Sequence, residues 1–359
     1  MFPKISVIIP VYNAEETIEK CIDSVRCSRL KDIEIICVDD GSTDNSLKIL
    51  YDLQKRDNRI KVLYQRNSYA GVARNNGLKA ATGKYVHFLD ADDWIECNTY
   101  ETLYSTIEND ESDVCICCYK TVDMITGKIE YMNKNIIRDN KKISNIINEP
   151  NTFLCGVVVP WNKLYRRGFL VDNQIYFDEL ICANDRGFYF EVILKAKKIT
   201  LIKEYLVNHV INNSKSLVGE TRLKNFDVHF KSFNRIWNLY SNQDNEVKKL
   251  ILQQCIGDCM SFYRKSKKTK YEKINRMKML CFLANLNIGL FEENIKEFYF
   301  YDEYLEIFRR GLPKSVLEGL KYDSVDILVK KSNLKRTVEF YNRNGFIETF
   351  KRILKELKM

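Results

Sequence analysis

The sequence of 359 residues lacks the features that mark membrane-spanning and exported proteins. It has no run of about twenty uninterrupted apolar residues, which is the length that a membrane-spanning helix needs. Its first stretch, MFPKISVIIPVYN, reaches a polar asparagine after a short apolar run, and no small-residue cleavage site follows. We therefore expect no signal peptide and predict a cytoplasmic protein.

Cysteine is plentiful, but it lacks the spacing of a zinc or disulfide framework. The chain has twelve cysteines, and no CxxC pair recurs with zinc-ribbon spacing. Cys37, Cys115, Cys117 and Cys118 lie in apolar runs that are typical of strands, where cysteine acts as a small core residue. Without an export signal, we expect reduced thiols.

Negative charge is scarce at the end of the chain. The net charge is +9, and residues 330–359 hold nine Lys or Arg against three Glu, a net +6. A basic tail can meet anionic lipid, nucleic acid or an acidic glycan.

The first 120 residues alternate between strand and helix patterns. Continuous aliphatic runs such as KISVIIPVY and IEIICVDD are typical of strands buried on both faces, and segments with helical apolar spacing follow them. The helix AGVARNNGLKAATG is predicted to end at Gly83. This alternation predicts an α/β fold with a mostly parallel sheet flanked by helices. After about residue 222 the pattern becomes mainly helical, so we predict a catalytic domain over residues 1–222 and a helical region over residues 223–359.

Acidic residues follow two of the predicted strands, at the edge where open α/β sheets bind ligands. Asp39 and Asp40 end the second strand, before a turn that Gly41 permits. They could accept hydrogen bonds from a ligand, or they could only cap the turn. The residues alone leave both alternatives open.

The stretch VHFLDADDW carries the strongest signal, because Asp90, Asp92 and Asp93 crowd the end of the fourth strand. Two carboxylates separated by one small residue can converge on a hard cation such as Mg²⁺ or Mn²⁺, which prefers oxygen ligands. A solvated acidic turn is the alternative. Haloacid dehalogenase-type phosphatases also place an Asp-x-Asp after a strand, but they do so after the first strand rather than the fourth.

Asp185 begins an amphipathic helix in CANDRGF, where it either complements the helix dipole or serves as a general base. Of the three histidines, His87 alternates within a strand and is interpreted as packed, and His229 has only Asp227 as a nearby acid. His209 follows a strand and could bind a metal or a phosphate group.

Five segments in series resemble the family 2 inverting glycosyltransferases with the GT-A fold. They are SVIIPVYN, VDDGSTDNS, GVARNNGLKAATGKYVHFLDADDW, PWNKLYRR and ANDRGFYFEVILKAKKI, and they span roughly residues 4–218 in the order of that family. The resemblance implies an enzyme of the hexosyl- or N-acetylhexosaminyl-transferase type.

The resemblance also implies roles for individual residues. The implied nucleotide-sugar site contains Pro10, Tyr12, Asp39, Asp40, Arg74, Asp90 and Asp92, with Asp40 on the base and Asp39 less certain. The implied metal ligands are Asp90, Asp92 and His209, for Mn²⁺ or Mg²⁺, and the implied acceptor-side residues are Trp161 and Asn162. Asp185 matches the catalytic base of a Glu-Asp pair whose first member is replaced here by Asn184.

By the same resemblance, the donor is expected to be a UDP-sugar and the acceptor a glycan or lipid-linked glycan in bacterial polysaccharide biosynthesis. Two other classes remain as alternatives. Nucleotidyl transfer is disfavoured because a Gly-rich basic phosphate loop after the first strand is missing. A non-catalytic nucleotide- or nucleic-acid-binding module is disfavoured because the strand ends are acidic and would repel nucleic acid. We therefore expect no nucleic-acid partner.

The last segment, GFIETFKRILKELKM, combines an apolar helical face with basic residues. Such a helix suits peripheral contact with the inner face of a cell membrane. Packing against the rest of the protein is the alternative, and the sequence leaves both open.

Overall fold

The structure is a computed structural model that describes residues 3–132, 137, 139–143, 157–211, 218–272, 275–276, 278–279 and 282. The chain separates into two compact units, residues 1–217 and residues 218–359. The predicted boundary after residue 222 lies within the helix Val218–Lys224, and it stays a prediction. The basic amphipathic segment at the end of the chain lies outside the described residues.

The first unit contains one sheet, to which the following strands belong. They are β1 (Ile5–Val11), β2 (Ile33–Asp39), β3 (Ile60–Tyr64), β4 (Tyr85–Phe88), β5 (Trp94–Ile95), β6 (Val114–Asp123), β7 (Ile129–Met132), β8 (Lys141–Ile143), β9 (Lys163–Arg166) and β10 (Ile199–Ile211). Their order is β3-β2-β1-β4-β9-β6-β10-β5, while β7 pairs with β6 and β8 pairs with β10.

Helices alternate with these strands, as the sequence predicts. They are α1 (Ile18–Arg26), α2 (Ser46–Arg56), α3 (Tyr69–Ala80), α4 (Thr99–Asp110), α5 (Arg167–Asp172) and α6 (Asn184–Lys195). Every residue of β1 and β2 is buried, as expected for strands covered on both faces. The α/β fold is therefore confirmed.

Strand direction places many strand ends at one edge of the sheet. The pairs β1–β2, β2–β3 and β1–β4 are parallel, so this half of the sheet is parallel throughout. The other half is mixed, because β9 runs antiparallel to both β4 and β6. Since β10 is parallel to β6, the C-terminal ends of β1, β2, β4, β6 and β10 share an edge. We call it the site edge.

The helix α3 ends earlier than its glycine suggests. It stops at Ala80, and Ala81 is already extended, so the prediction that Gly83 closes the helix is wrong. Gly83 instead passes against β1, where an added Cβ would lie 2.7 Å from the backbone nitrogen of Ser6. Its own N–H donates to Ser6 Oγ at 2.8 Å. The position therefore needs glycine because two backbones approach closely.

The second unit is helical where it is described, as predicted. It contains α7 (Val218–Lys224), α8 (Val228–Leu239) and α9 (Asn245–Ser266). The N-cap of α9 is Asp244, whose carboxylate accepts the Val247 N–H at 2.9 Å. Among the described residues of the whole chain, no helix is both long and apolar enough to cross a membrane. The ten described cysteines are all free thiols.

Candidate functional site

The acids that end β2 lie at the site edge and differ in their surroundings. Asp39 is fully buried; its Oδ2 accepts the Ser42 N–H at 3.1 Å, while Oδ1 has no partner in the described part of the chain. A buried carboxylate oxygen without a donor costs free energy unless a ligand supplies one. Asp39 is therefore poised to accept a hydrogen bond from a bound molecule.

Asp40 is more strongly tied to the protein. Its Oδ1 accepts hydrogen bonds from Gln65 Nε2 at 2.8 Å and from the Ser68 N–H at 2.7 Å. Pro10 and Tyr12, at and just beyond the end of β1, lie beside this pair because Asp40 N–H donates to the Val11 carbonyl at 2.8 Å. The structure thus brings Pro10, Tyr12, Asp39 and Asp40 together at the site edge, and their role toward a nucleotide stays a prediction.

Arg74 on α3 neutralises the first acid of the LDADDW stretch. Its NH2 donates to Asp90 Oδ1 at 2.6 Å, and the guanidinium carbon lies 5.2 Å from the centre of the Phe177 ring. The arginine is almost fully buried, so this charge-assisted hydrogen bond is shielded from water. The protein itself therefore places one cation, the Arg74 guanidinium, beside Asp90.

No side chain within the described residues forms an ion pair or a hydrogen bond with the Asp92 carboxylate. Burial, followed by the charge of Asp90, raises the pKa of Asp92 above its usual range. The charge of His209 opposes this rise. Such an environment favours a cation next to the carboxylate.

Asp93 binds His209, which lies within β10. Both oxygens of the buried Asp93 carboxylate lie 3.0 Å from His209 Nδ1, and Oδ1 also accepts the Val210 N–H at 2.9 Å. Burial raises the pKa of Asp93. Burial disfavours the protonated form of His209. The hydrogen bond to Asp93 and the negative charge of Asp93 outweigh the effect of burial, so the pKa of His209 is raised. The imidazole stacks on Trp161 with 4.5 Å between ring centres.

Arg74 also joins Asp90 to Asn184, the residue before the predicted base. Its NH1 donates to Asn184 Oδ1 at 3.0 Å, and Asn184 immediately precedes Asp185 at the start of α6. Asp185 lies in the first turn, where the helix dipole favours a carboxylate, and it is partly exposed. The replacement of glutamate by Asn184 leaves Arg74 with one carboxylate partner, Asp90, and one amide partner.

Trp161 and Asn162 lie at the site edge just before β9, but both are buried. Asn162 uses its amide within the protein: Nδ2 donates to the Cys117 carbonyl at 2.9 Å, and Oδ1 accepts from Lys163 Nζ at 2.7 Å. In this arrangement Asn162 holds neighbouring backbone in place, and its role toward an acceptor stays a prediction.

Lys163 is a buried amine that sequence reasoning missed. Its Nζ donates to the carbonyls of Val157 and Val159 at 3.0 and 2.6 Å, in addition to Asn162. Burial lowers the pKa of Lys163 to about 7, against the charge of Asp185, which raises it. The lysine therefore holds the segment before β9 in place. In the sequence, only its position in the motif WNKLY hinted at this role.

His87 is packed, as the sequence indicates. It is fully buried on β4, with Nδ1 3.0 Å from the Tyr100 hydroxyl and Nε2 2.6 Å from the Trp161 carbonyl oxygen. Burial lowers its pKa to about 4, so the ring is neutral at pH 7. It supports Trp161 from below the site edge.

The donor set fits a divalent cation that shares its shell with a phosphate-bearing ligand. No group of three His, Cys, Asp or Glu side chains within the described residues is arranged to hold a metal alone. Mg²⁺ commonly uses only one or two carboxylates and completes its shell with water and substrate phosphates. Asp92 and Asp90 provide such carboxylates. His209 could contribute only Nε2, because Asp93 occupies its Nδ1.

Sequence comparison identifies relatives of this chain. Residues 6–172 match the family described as Glycosyl transferase family 2. EpsH of Bacillus subtilis, which is named as a glycosyltransferase, is 31% identical over 294 residues, covering 78% of this chain and 83% of EpsH. The cholesterol galactosyltransferase of Borreliella burgdorferi is 29% identical over 277 residues, covering 70% of this chain and 73% of that protein.

Structure comparison supports the same fold. The crystal structure of S. aureus TarS 1–349 in complex with UDP-GlcNAc matches with a TM-score of 0.65 at 24% identity. The match covers 87% of this chain and 93% of the TarS chain. The predicted GT-A fold, followed by a helical region, is therefore confirmed.

Proposed function

The chain belongs to glycosyltransferase family 2, which confirms the resemblance seen in its motifs, and from this premise we propose a specific reaction. The protein transfers a hexosyl or N-acetylhexosaminyl group from a UDP-sugar to a hydroxyl of a glycan or lipid-linked glycan, with inversion at the anomeric carbon. The observation that carries this proposal is the bridge made by Arg74. One guanidinium contacts both Asp90 and the residue that precedes Asp185.

For the donor, we propose that the nucleotide base lies against Asp39 and Asp40, with Pro10 and Tyr12 lining the pocket. A uracil ring offers an N–H donor, and the unpartnered Oδ1 of Asp39 is a buried acceptor beside Asp40. The TarS structure bound to UDP-GlcNAc supports a uridine nucleotide in a protein of the same fold.

For the diphosphate, we propose a Mn²⁺ or Mg²⁺ ion held by Asp92 and Asp90, with His209 Nε2 as a further ligand. When bound, such an ion offsets the negative charge that develops on the departing diphosphate. Arg74 fixes the position of Asp90 through the 2.6 Å hydrogen bond. Asp93 fixes the ring of His209 in the same way.

For the chemistry, Asp185 takes the proton of the acceptor hydroxyl. The acceptor oxygen then forms a bond to the anomeric carbon while the bond from that carbon to the diphosphate oxygen breaks, and its electron pair leaves with UDP. One displacement inverts the configuration. The base and the donor-side acids come from different segments, which opposite-face attack requires. Arg74 links these segments, because it donates both to Asp90 and to Asn184, the residue before Asp185.

The proposal for the acceptor rests on the residues around His209 and on one named relative. Trp161 stacks on His209 at the site edge, and Lys163 holds the segment that precedes Trp161. We propose that the acceptor binds on this side of the site edge. One relative is named for a reaction on cholesterol, which supports an acceptor hydroxyl attached to a lipid as one form of the substrate. We place the reaction in bacterial surface-polysaccharide assembly on the cytoplasmic side.

The test is a screen of UDP-, GDP-, ADP- and CMP-sugars with the full chain, in Mn²⁺, in Mg²⁺ and in EDTA. We expect a UDP-sugar with a divalent cation to give the largest rise in Tm and slow release of UDP, both removed by EDTA. Asp92→Asn should lose the response, whereas Glu96→Gln, whose carboxylate pairs with Lys120, should keep it. Preference for another nucleotide, or UDP binding that EDTA does not change, would refute the proposal.

A further inference from the structure

The turn between β6 and β7 presents large apolar side chains to solvent. Ile125 is 78% exposed and Met124 is 57% exposed at its tip, and Ile129 and Tyr131 on β7 are each 53% exposed. Ile125 is the most exposed large apolar residue in the described part of the chain. We call these residues, Met124, Ile125, Ile129 and Tyr131, the apolar tip. Tips of hairpins more often carry Gly, Asn, Asp or Ser.

The turn is well ordered by its own hydrogen bonds. Asp123 Oδ1 accepts the N–H groups of Ile125 and Thr126 at 2.8 and 3.0 Å, and the Asp123 carbonyl accepts the Gly127 N–H at 2.8 Å. Gly127 has φ +70°, which glycine adopts without strain. The backbone therefore holds Met124 and Ile125 outward, although none of these bonds needs an apolar side chain there.

The apolar tip projects from the site edge. Because β6 is parallel to β10, Thr121 lies beside His209 and Asp123 lies beside Ile211, so the turn continues past the histidine in the same direction. Met124 N–H donates to the Ile211 carbonyl at 3.2 Å. The tip thus stands at the outer rim of the candidate site, on the side of Trp161 and His209.

Charge does not explain the tip. Lys128 forms an ion pair with Glu130 at 2.6 Å, and the Asp123 carboxylate accepts hydrogen bonds from the turn. Residues 123–131 therefore carry a formal charge of only −1. The aliphatic members, Met124, Ile125 and Ile129, offer no hydrogen bonds to a glycan, and the Tyr131 ring packs edge-on against Tyr205, with 4.9 Å between ring centres. A stable protein interface uses about 20–30 residues on each side and matched shapes, whereas the tip has four apolar residues on a narrow projection.

A lipid bilayer is the partner that suits a small, weakly charged, projecting apolar group, because its fluid interface needs no shape complementarity and binding strength grows with the apolar area that is buried. We propose that the apolar tip inserts into the interface of a membrane and turns the site edge toward the lipid surface. Where the acceptor is a lipid-linked glycan, as in the proposed function, this orientation would bring its hydroxyl to Asp185. The insertion itself does not depend on that reaction.

The test is co-sedimentation of the full chain with phosphatidylcholine vesicles, with and without phosphatidylglycerol. We expect binding to both, and a decrease of about tenfold or more in the partition coefficient for Met124→Ser/Ile125→Ser, since two large apolar groups no longer leave water. A matched double variant, Tyr51→Ser/Val171→Ser, removes apolar groups that are exposed elsewhere and should bind as the unchanged protein does. Ile125→Trp should bind at least as tightly and give tryptophan emission shifted to the blue.

Other outcomes would overturn the proposal. They are no vesicle binding by the unchanged protein, equal binding by the Met124→Ser/Ile125→Ser variant, or a self-association measured by sedimentation that only this variant loses. A fall in its Tm with unchanged vesicle binding would mean that the tip packs within the chain. The response of Tm to UDP is measured in parallel: if vesicle binding fails while this response remains, the proposed function stands without the membrane contact.

Discussion

His209 Nδ1 and the carboxylate of Asp93 lie 3.0 Å apart, and this contact joins the residue before β5 to β10 across 116 positions of sequence. The Asp93 side chain is fully buried, while the His209 side chain keeps 29% exposure. The carboxylate therefore holds the imidazole ring through Nδ1, and Nε2 is the ring nitrogen that Asp93 does not bind. A carboxylate that orients a histidine in this way commonly supports metal binding by that histidine.

We expect Asp93→Asn to weaken Mn²⁺ binding in the presence of UDP by about tenfold or more, as is typical when such a supporting carboxylate is lost. The asparagine keeps the shape but can no longer hold the imidazole through a charge-assisted hydrogen bond. Isothermal titration with Mn²⁺ at saturating UDP measures this. Glu96→Gln removes a nearby acid outside the pair and serves as the control; equal Mn²⁺ affinity in Asp93→Asn and in the control would show that His209 takes no part in the metal site.

Arg74→Met should destabilise the free protein and make it more dependent on added cation. The change leaves Asp90 without its arginine beside Asp92, and breaking a buried ion pair costs about 3–5 kcal/mol of unfolding free energy. Because Asp90 is partly exposed, we expect about 2–3 kcal/mol. Urea unfolding with and without Mn²⁺ gives the comparison, and Mn²⁺ should restore part of the loss.

The control for this prediction is Arg29→Met, which removes an exposed arginine whose contact with Glu101 is 3.6 Å long. Exposed pairs contribute about 0–1 kcal/mol, so this variant should unfold almost as the unchanged protein does. A similar small effect in Arg74→Met would mean that Arg74 carries no buried charge of importance.

Asp185→Asn should abolish transfer while leaving donor binding nearly intact. Loss of a general base lowers kcat by about 10²–10⁴-fold, whereas Asp39, Asp40 and Asp92 remain in place to hold the nucleotide. Single-turnover transfer and UDP titration measure the two effects separately. Asp172→Asn, at the end of α5, is the matched control. Substantial transfer by Asp185→Asn would show that another group takes the proton.

Much of this site was predictable because strand ends can be recognised in the sequence. The apolar runs that become β2 and β4 end in acids, and parallel strands bring such ends to a shared edge, so Asp39, Asp40, Asp90 and Asp92 could be grouped without a structure. The helix pattern placed Asp185 at a helix start.

Contacts between distant segments could not be predicted in the same way. The bond from Arg74 to Asn184 spans 110 positions, and it depends on how α3 packs against the start of α6. Lys163 looks like a surface lysine in sequence, yet three oxygen atoms satisfy it in the interior. Gly83 looked like a helix end because close approach of backbones also selects glycine, and sequence alone does not separate the two causes.

Glu34 on β2 gives the fold a specific dependence on acid. Its buried carboxylate accepts hydrogen bonds from Ser6 Oγ at 2.5 Å, from Lys61 Nζ at 2.7 Å and from both the N–H and the hydroxyl of Thr82, at 2.7 and 2.8 Å. Burial opposes its charge, but these donors outweigh burial and lower the pKa of Glu34 to about 2. The carboxylate therefore fastens the chain before β4 to the start of β1 and β2.

Because the pKa of Glu34 is lower in the folded protein than the ordinary value of 4.5, its stabilisation is complete above about pH 4.5 and is lost as the pH falls toward 2. The difference corresponds to about 3 kcal/mol of unfolding free energy at pH 7. Glu34→Gln should thus lower stability by about this amount at pH 7 and by less than half of it at pH 3, measured by urea unfolding at both pH values. Glu101→Gln, on the exposed face of α4, should show no such pH-dependent difference in unfolding free energy from the unchanged protein. A deficit in Glu34→Gln that is equally large at pH 3 would assign the effect to packing rather than to the charge of Glu34.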